Sequence, residues 1–252
     1  MSKKNITLLN FWDLAIILAA SIGLPSFIIG GLLAKTYNVG TVIPSVLLGN
    51  LVLWVVGLGI IAMSQHGKAN AIQNVRRYLG KAGAFFSAIV LITAFLSWYT
   101  IQLESVVISY TSFFKHIINI SDAFRLRIGI GLGLFISLAA SGGLPLIKKL
   151  LRWGAPLIAL YMIYVMITRN HLYESIGPWG LSFTPIVYTI SANLAGMVNL
   201  PTFYRHSKSP ADSFFSLTIL TILVSAFECF SIWAGINSYE SFFPEARGHL
   251  LT

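Results

Sequence analysis

Residues 42–64 read VIPSVLLGNLVLWVVGLGIIAMS and contain no charged side chain. A helix needs about 20 consecutive apolar residues to cross the hydrocarbon core of a bilayer. A surface helix of a soluble protein would instead carry a polar face along its length. The stretch therefore predicts a transmembrane helix, and it sets the expectation for the rest of the chain.

Apolar runs of the same kind recur along all 252 residues, which are 56% hydrophobic and only 10% charged. Soluble domains carry about 25% charged residues. Seven candidate spans cover residues 11–34, 42–64, 84–114, 126–141, 153–168, 182–203 and 214–236. These runs are too long and continuous for barrel strands. We therefore predict an all-α polytopic membrane protein whose single transmembrane domain covers residues 1–252.

Basic residues are distributed unevenly between the predicted loops, and cytoplasmic loops are normally the richer in Lys and Arg. If the N-terminus is cytoplasmic, the inner set is Lys3, Lys4, Lys68, Arg76, Arg77, Lys81, Lys148, Lys149, Arg152, Arg205 and Lys208. The outer set is then Lys35, Lys115, Arg125, Arg127, Arg169 and Arg247. This bias predicts a multi-pass protein of the cytoplasmic (plasma) membrane, with its N-terminus inside. Because the basic residues flank apolar runs, the net charge of +9 indicates membrane topology and not nucleic-acid binding.

Two of the predicted spans contain residues that interrupt helices. Gly23 and Pro25 lie in the middle of span one, and Asn193, Gly196 and Pro201 lie in span six. Glycine leaves helical angles easily, and proline removes a backbone donor. Backbone opened in this way holds substrates and cations in many transporters, although a simple kink is the alternative.

Trp98 and Gln102 of span three are four positions apart and therefore share one helix face. An indole can stack on a flat heterocycle, and an amide can donate and accept hydrogen bonds at once. On spacing alone, however, a packing tryptophan and a hydrogen bond between helices are the simpler interpretation of the pair. Glu104 and Glu228 lie inside spans three and seven, where a charge is costly, so each is also a functional candidate.

Several segments resemble the nucleobase–cation symporters, a family that includes cytosine, purine, allantoin and hydantoin permeases. Residues 47–54, LLGNLVLW, are similar to the second helix of that family, and residues 66–83 are similar to the loop that follows it. Residues 199–212, NLPTFYRHSKSPAD, resemble a family signature. The chain departs from the family pattern at Leu79, where an aromatic residue is usual, and at Thr202, where an acidic residue is usual.

The resemblance implies a partial leucine-transporter-like fold of two inverted repeats, with residues 11–168 as the first repeat and 182–236 as the start of the second. Spans one and six would be broken. Trp98 would stack on a nucleobase-like substrate and Gln102 would bind its edge. The backbone around Gly23 and Pro25, and around Asn193 and Gly196, would complete the site. Sodium ions or protons would couple transport, and no other cofactor is expected.

The family has more spans than the seven predicted here, and its cation site lies between the first and eighth helices. A second chain that supplies further helices is therefore an expected partner, beside membrane lipid and the small-molecule substrate. Two alternatives remain open. One is a truncated, non-transporting relic or assembly partner, and the other is an amino-acid permease of the same fold. No spacing of His, Cys, Asp or Glu suggests a nucleophile or a metal site, so no enzymatic activity is expected.

Overall fold

The computed structural model describes residues 8–65, 69–114, 121–143 and 177–242, together with scattered positions from 146 to 164. Six long helices make up almost all of this part. They are α1 (Phe11–Thr36), α2 (Val39–Gln65), α3 (Ala71–Phe114), α4 (Asp122–Ser141), α5 (Phe183–Tyr204) and α6 (Pro210–Phe242). Each overlaps one predicted span. The predicted fifth span, 153–168, lies mostly outside the described residues.

Four helical segments are long and apolar enough to cross a membrane, judged within the described residues. They are Val39–Ser64, Ala71–Ile108, Asp122–Ser141 and Pro210–Trp233. Helices α3 and α4 also expose many large apolar side chains, and α4 has no buried residue. Surfaces of this kind are stable against lipid and unstable against water. The prediction of an all-α, membrane-embedded protein is confirmed at this level.

Helices α1 and α6 run side by side in the same direction, because contacts between distant residues join their starting ends. The backbone N–H of Leu9 donates to the carbonyl of His206 at 2.7 Å. The N–H of Phe11, the first residue of α1, donates to Oδ1 of Asp212 in the first turn of α6 at 3.1 Å. The starting ends of α1 and α6 are thus held together by hydrogen bonds that satisfy otherwise unpaired terminal groups.

Helices α2 and α5 form the second parallel pair, and they start at the opposite end of the bundle. The N–H of Gly180 donates to the carbonyl of Gly40 at 3.2 Å, and the N–H of Ser182 donates to Oγ of Ser45 at 2.9 Å. Short connections link α1 to α2 and α5 to α6. The four helices therefore form a bundle in which one parallel pair runs against the other.

Apolar packing fills the interior of this bundle in two clusters. The cluster nearer the start of α1 contains Leu14, Leu18, Leu53, Met197, Leu200, Tyr204 and Leu217, among others. The cluster nearer the end of α1 contains Ile29, Leu33, Val42, Val46 and Ile232. Lipid is as apolar as these side chains, so close van der Waals packing must supply much of the association energy.

The interruptions expected in spans one and six do not appear as breaks in the helices. Helix α1 is continuous over Phe11–Thr36, through the segment that contains Gly23 and Pro25. Helix α5 is continuous through Asn193 and Gly196, and Pro201 lies within its last turn. The polar side chain of Asn193 is satisfied by bonds to its own helix and to α6, so opened backbone is not needed to satisfy it. The prediction of two broken helices was therefore wrong as a statement about secondary structure.

A sharp bend occurs instead near the start of α3. Gly80 has φ of 71° and ψ of −169°, a conformation that side chains other than glycine rarely adopt. The bend separates a short helical segment at 71–79 from the long segment that begins at residue 81. The N–H of Ala71 donates to Oγ1 of Thr202 at 3.4 Å, so the short segment is attached to the end of α5.

The closest contact between α1 and α6 depends on Gly30. A Cβ atom at this position would lie 2.7 Å from the backbone carbonyl oxygen of Glu228 and 2.7 Å from Cβ of Ser231. We predict that Gly30→Ala lowers stability by about 1–3 kcal/mol, because the helix backbones must separate. Thermal unfolding of the purified protein in detergent would measure this loss.

The matched control is Gly59→Ala in α2, where an added Cβ meets nothing within 4 Å. Because alanine is the better helix former, this change should be neutral or stabilising by up to about 1 kcal/mol. Equal destabilisation by the two substitutions would contradict the close approach of α1 and α6.

Candidate functional site

A cavity of about 220 Å³ lies between α3 and α5. Its wall on α3 is formed by Phe95, Trp98, Tyr99 and Gln102, and its wall on α5 by Ala192, Asn193, Ala195, Gly196, Asn199 and Phe203. Ligand sites in proteins are typically apolar hollows with a few well-placed polar groups. This cavity has that composition, with four aromatic side chains and three amides.

The α3 wall is one continuous helix face, because its members are spaced by three, four and seven residues. Trp98 also packs against the apolar cluster that contains Val42 and Val46, which restricts its indole ring. The hydroxyl of Tyr99 donates to the carbonyl of Gly133 at 2.7 Å and so joins α3 to α4. Gln102 makes no hydrogen bond to any residue that the structure describes, which leaves its amide available to a ligand.

The α5 wall owes its hollow shape to small side chains. Ala192, Ala195 and Gly196 occupy one side of the helix where larger residues would fill the space. Asn199 lies one turn further along, and its Oδ1 accepts a hydrogen bond from Oγ1 of Thr202 at 2.8 Å. The Thr202 hydroxyl thereby orients the Asn199 amide. Because Oδ1 of Asn199 is occupied, its Nδ2 is the atom best placed to donate a hydrogen bond to a ligand.

Four of the six residues predicted to bind substrate meet at this cavity. Trp98 and Gln102 approach from α3, and Asn193 and Gly196 approach from α5. The other two, Gly23 and Pro25, belong to a segment whose side chains lie outside the described residues, so their role stays a prediction. Sequence reasoning did not include Phe95 or Tyr99, although continuing the Trp98–Gln102 face by one turn would have found Phe95.

Behind the cavity wall lies a fully buried carboxylate, that of Glu228 on α6. Nδ2 of Asn193 on α5 donates to its Oε1 at 3.0 Å, and Nδ2 of Asn50 on α2 donates to its Oε2 at 2.5 Å. Asn50 also donates to Oγ of Ser225 at 3.1 Å, and Asn193 donates to the carbonyl of Thr189 at 3.1 Å. We refer to Glu228, Asn50 and Asn193 as the polar centre.

The polar centre lies near the middle of the bundle, and its hydrogen bonds join α2, α5 and α6. Asn193 follows the start of α5 by ten residues, a rise of about 15 Å, which is close to the middle of the helix. Helix α1 packs against α6 at the same level, because Gly30 lies close to the backbone carbonyl oxygen of Glu228. A charge at this depth is stable only with strong partners. Glu104, the other acidic candidate, lies on an exposed face of α3 and outside the cavity.

The segment 199–212, which carries the resemblance to a family signature, forms a structural joint in this protein. Beyond Thr202, its loop pairs with Leu9, and its Asp212 receives a hydrogen bond from the start of α1. His206 accepts a hydrogen bond from Nε of Arg205 at 3.1 Å. Partial burial and the positive charge of Arg205 lower the pKa of His206, which keeps its ring neutral enough to accept.

Among the described residues, no group of three or more His, Cys, Asp or Glu side chains could hold a metal ion. No protein-family model, curated protein or solved structure matches this chain. The function must accordingly be inferred from the cavity and the polar centre themselves.

Removing the Glu228 carboxylate tests how much the polar centre contributes to the stability of the protein. We predict that Glu228→Ala lowers stability by up to about 2–6 kcal/mol, since each of two buried amides loses its charged acceptor, at up to about 1–3 kcal/mol each, and keeps only its bond to Ser225 or Thr189. Glu228→Gln should be milder, because an amide still offers an oxygen to one asparagine. Thermal unfolding in detergent measures both losses.

Glu104→Ala is the control, because that carboxylate lies on an exposed face and does not belong to the polar centre. If Glu228→Ala is no more harmful than Glu104→Ala, the polar centre does not hold α2, α5 and α6 together.

Proposed function

We propose that this protein is a membrane transporter, or transporter-like protein, that binds a small nucleobase-like heterocycle in the cavity between α3 and α5. The observation that carries the proposal is the meeting of Trp98 and Gln102 with Asn193 and Gly196 around one cavity. These four residues come from two helices that are far apart in the sequence, and the sequence predicts each of them as a substrate-binding residue.

The lining suits a flat ring with hydrogen-bonding edges. Phe95, Trp98 and Phe203 offer aromatic faces, and Gln102 and Asn199 offer amides at the rim. A volume of about 220 Å³ is below the roughly 300–1,000 Å³ of sites for drug-sized ligands. A molecule of one or two fused rings with carbonyl and amine groups therefore fits best. None of the described residues that line the cavity is charged, which disfavours a zwitterionic amino acid.

The arrangement of the bundle supports transport and not mere binding. A two-fold axis in the membrane plane that exchanged α1 with α5 and α2 with α6 would map the α1–α6 contact onto the α5–α2 contact. These are the two most extensive contacts among the six described helices. Inverted repeats of this kind accompany alternating access in many transporters. Coupling to Na⁺ or H⁺, seven spans and a place in the cytoplasmic membrane belong to the same proposal.

The distribution of charge supports a cytoplasmic N-terminus. Arg76, Arg77 and Lys81 lie at the start of α3, which is attached to the end of α5, and Arg205 and Lys208 lie in the following loop. All five are thus at the end of the bundle where α1 begins. Such clustering of basic residues on one side is the usual mark of the cytoplasmic face.

Cysteine labelling tests this orientation, starting from a Cys229→Ala background that removes the single native thiol. Cysteines introduced at exposed Tyr78 and Ala211 should react with a membrane-impermeant maleimide only after the cells are opened. A cysteine at Trp179, at the opposite end, should react in intact cells. The reverse pattern would show that the N-terminus lies outside.

Equilibrium binding of radiolabelled cytosine, adenine, hydantoin and allantoin to the chain in lipid nanodiscs tests the proposed ligand class. We expect binding of at least one of them. Trp98→Ala should weaken it by roughly 5- to 150-fold, since stacking of a base on an aromatic ring contributes about 1–3 kcal/mol. Gln102→Leu should weaken it by about tenfold, the effect of one lost hydrogen bond. Phe86→Ala, on an exposed face of the same helix, should leave affinity unchanged.

Three outcomes would redirect the proposal. Absence of binding by all four compounds would reject the ligand class, and displacement of a bound probe by amino acids alone would favour an amino-acid carrier of the same architecture. Binding without uptake by proteoliposomes, under either an Na⁺ or an H⁺ gradient, would favour a non-transporting binding or assembly protein.

A further inference from the structure

We propose that Glu228 is a reversible proton-binding site, and that Asn193 transmits its protonation state to the cavity. The inference deepens the proposed function, because it names the residue through which a proton gradient would act on ligand binding. Its test, however, requires no ligand. The observation behind it is that one amide, that of Asn193, both hydrogen-bonds the buried carboxyl and forms part of the cavity wall.

Glu228 is set in surroundings that make the exchange of a proton chemically reasonable. It is fully buried, and two of the helices packed around it, α2 and α5, carry no charged residue. Its carboxyl receives the Asn50 amide from α2 and the Asn193 amide from α5, and Gly30 of α1 lies against its backbone carbonyl. Its closest titratable neighbour along α6 is the thiol of Cys229. Ionisable side chains in such positions commonly serve as proton relays in membrane transporters.

The hydrogen bonds of the polar centre differ between the two charge states. An ionised carboxylate only accepts, and both asparagines donate to it, one to each oxygen. When a proton binds Oε1, that oxygen becomes a donor, and the Nδ2 of Asn193 loses it as an acceptor while keeping the carbonyl of Thr189. Rotation of the amide by half a turn brings Oδ1 to the new O–H group. The rotation also breaks the hydrogen bond from Nδ2 to the carbonyl of Thr189, and the proton comes from water.

This rotation alters the cavity wall. In the ionised state Nδ2 of Asn193 is directed to Glu228 and to the carbonyl of Thr189. In the protonated state the amide turns, so a different hydrogen-bonding group of Asn193 lies toward the cavity. A ligand that distinguishes the two arrangements must bind one charge state more tightly, and by reciprocity it must shift the proton equilibrium of Glu228. A coupling of roughly 5- to 150-fold is typical.

Asn50 offers an internal comparison, because it contacts the same carboxyl but does not line the cavity. Loss of Asn50 should change the proton equilibrium without a direct effect on the wall. Loss of Asn193 should break the link between carboxyl and cavity. Comparing the two losses therefore distinguishes a residue that only holds the carboxyl from one that also transmits its protonation state to the cavity.

The first test is an infrared pH titration of the purified protein in nanodiscs. We expect the C=O stretching band of a buried carboxylic acid to appear on acidification in the wild type and in the exposed-residue control Glu104→Gln. The band should be absent from Glu228→Gln and displaced in Asn193→Ala. If Glu228→Gln does not fold, loss or displacement of the band in Asn50→Ala and Asn193→Ala identifies the carboxyl. A wild-type spectrum without such a band, across the pH range in which the protein is folded, would overturn the proposal.

The second test measures transmission through tryptophan fluorescence. Because Trp98 shares the cavity with Asn193, we expect a pH-dependent change in emission that follows the infrared titration. Trp98→Phe and Asn193→Ala should abolish it, whereas Trp179→Phe, at an exposed position outside the cavity, should retain it. A carboxyl that titrates while Trp98 emission stays constant would reject transmission. Failure of base binding, with both pH signals intact, would reject the proposed ligand class and leave the proton site standing.

Discussion

The hydrogen bonds that Glu228 accepts from Asn50 and Asn193 are the constraint on which the bundle depends. A carboxylate at this depth excludes any arrangement of α2, α5 and α6 that does not bring both amides to it. Apolar contacts in a membrane are poor at specifying one arrangement, because lipid competes with them on nearly equal terms. The polar centre therefore sets the register of the helices, and the surrounding leucines and valines adapt to that register.

Close packing around this point follows from small residues. Gly30 lets the backbone of α1 approach α6 at Glu228 itself, and Gly49 brings α2 against Thr189 of α5. Small residues that permit close contact are the usual means by which membrane helices associate. Small side chains at Ala192, Ala195 and Gly196 of α5 likewise leave the cavity open. One helix thus packs closely against α2 and also lines the cavity.

Sequence reasoning was most successful where a physical rule leaves little choice. Uncharged runs such as 42–64 predicted the helices, because no other backbone satisfies its own hydrogen bonds in lipid. The spacing of Trp98 and Gln102 placed both on one face, and the cavity contains both. The breaks expected around Gly23, Pro25 and Asn193 failed as predictions of secondary structure. Glycine and proline permit a break but do not force one, and the outcome depends on neighbours that the sequence alone does not identify. The pairing of Asn50 with Glu228, 178 residues away, could not be read from local spacing at all.

The contact between Phe11 and Asp212 joins residues 201 positions apart. The ribosome therefore delivers α1 long before its partner α6. At about 5–20 residues per second, α1 would wait roughly 10–40 s in the membrane before the segment that pairs with it is made. During that interval the face around Gly30 is open to other helices, including those of the insertion machinery. Biogenesis of this protein thus includes a period in which its first helix lies in the membrane without the helix that it packs against in the folded state.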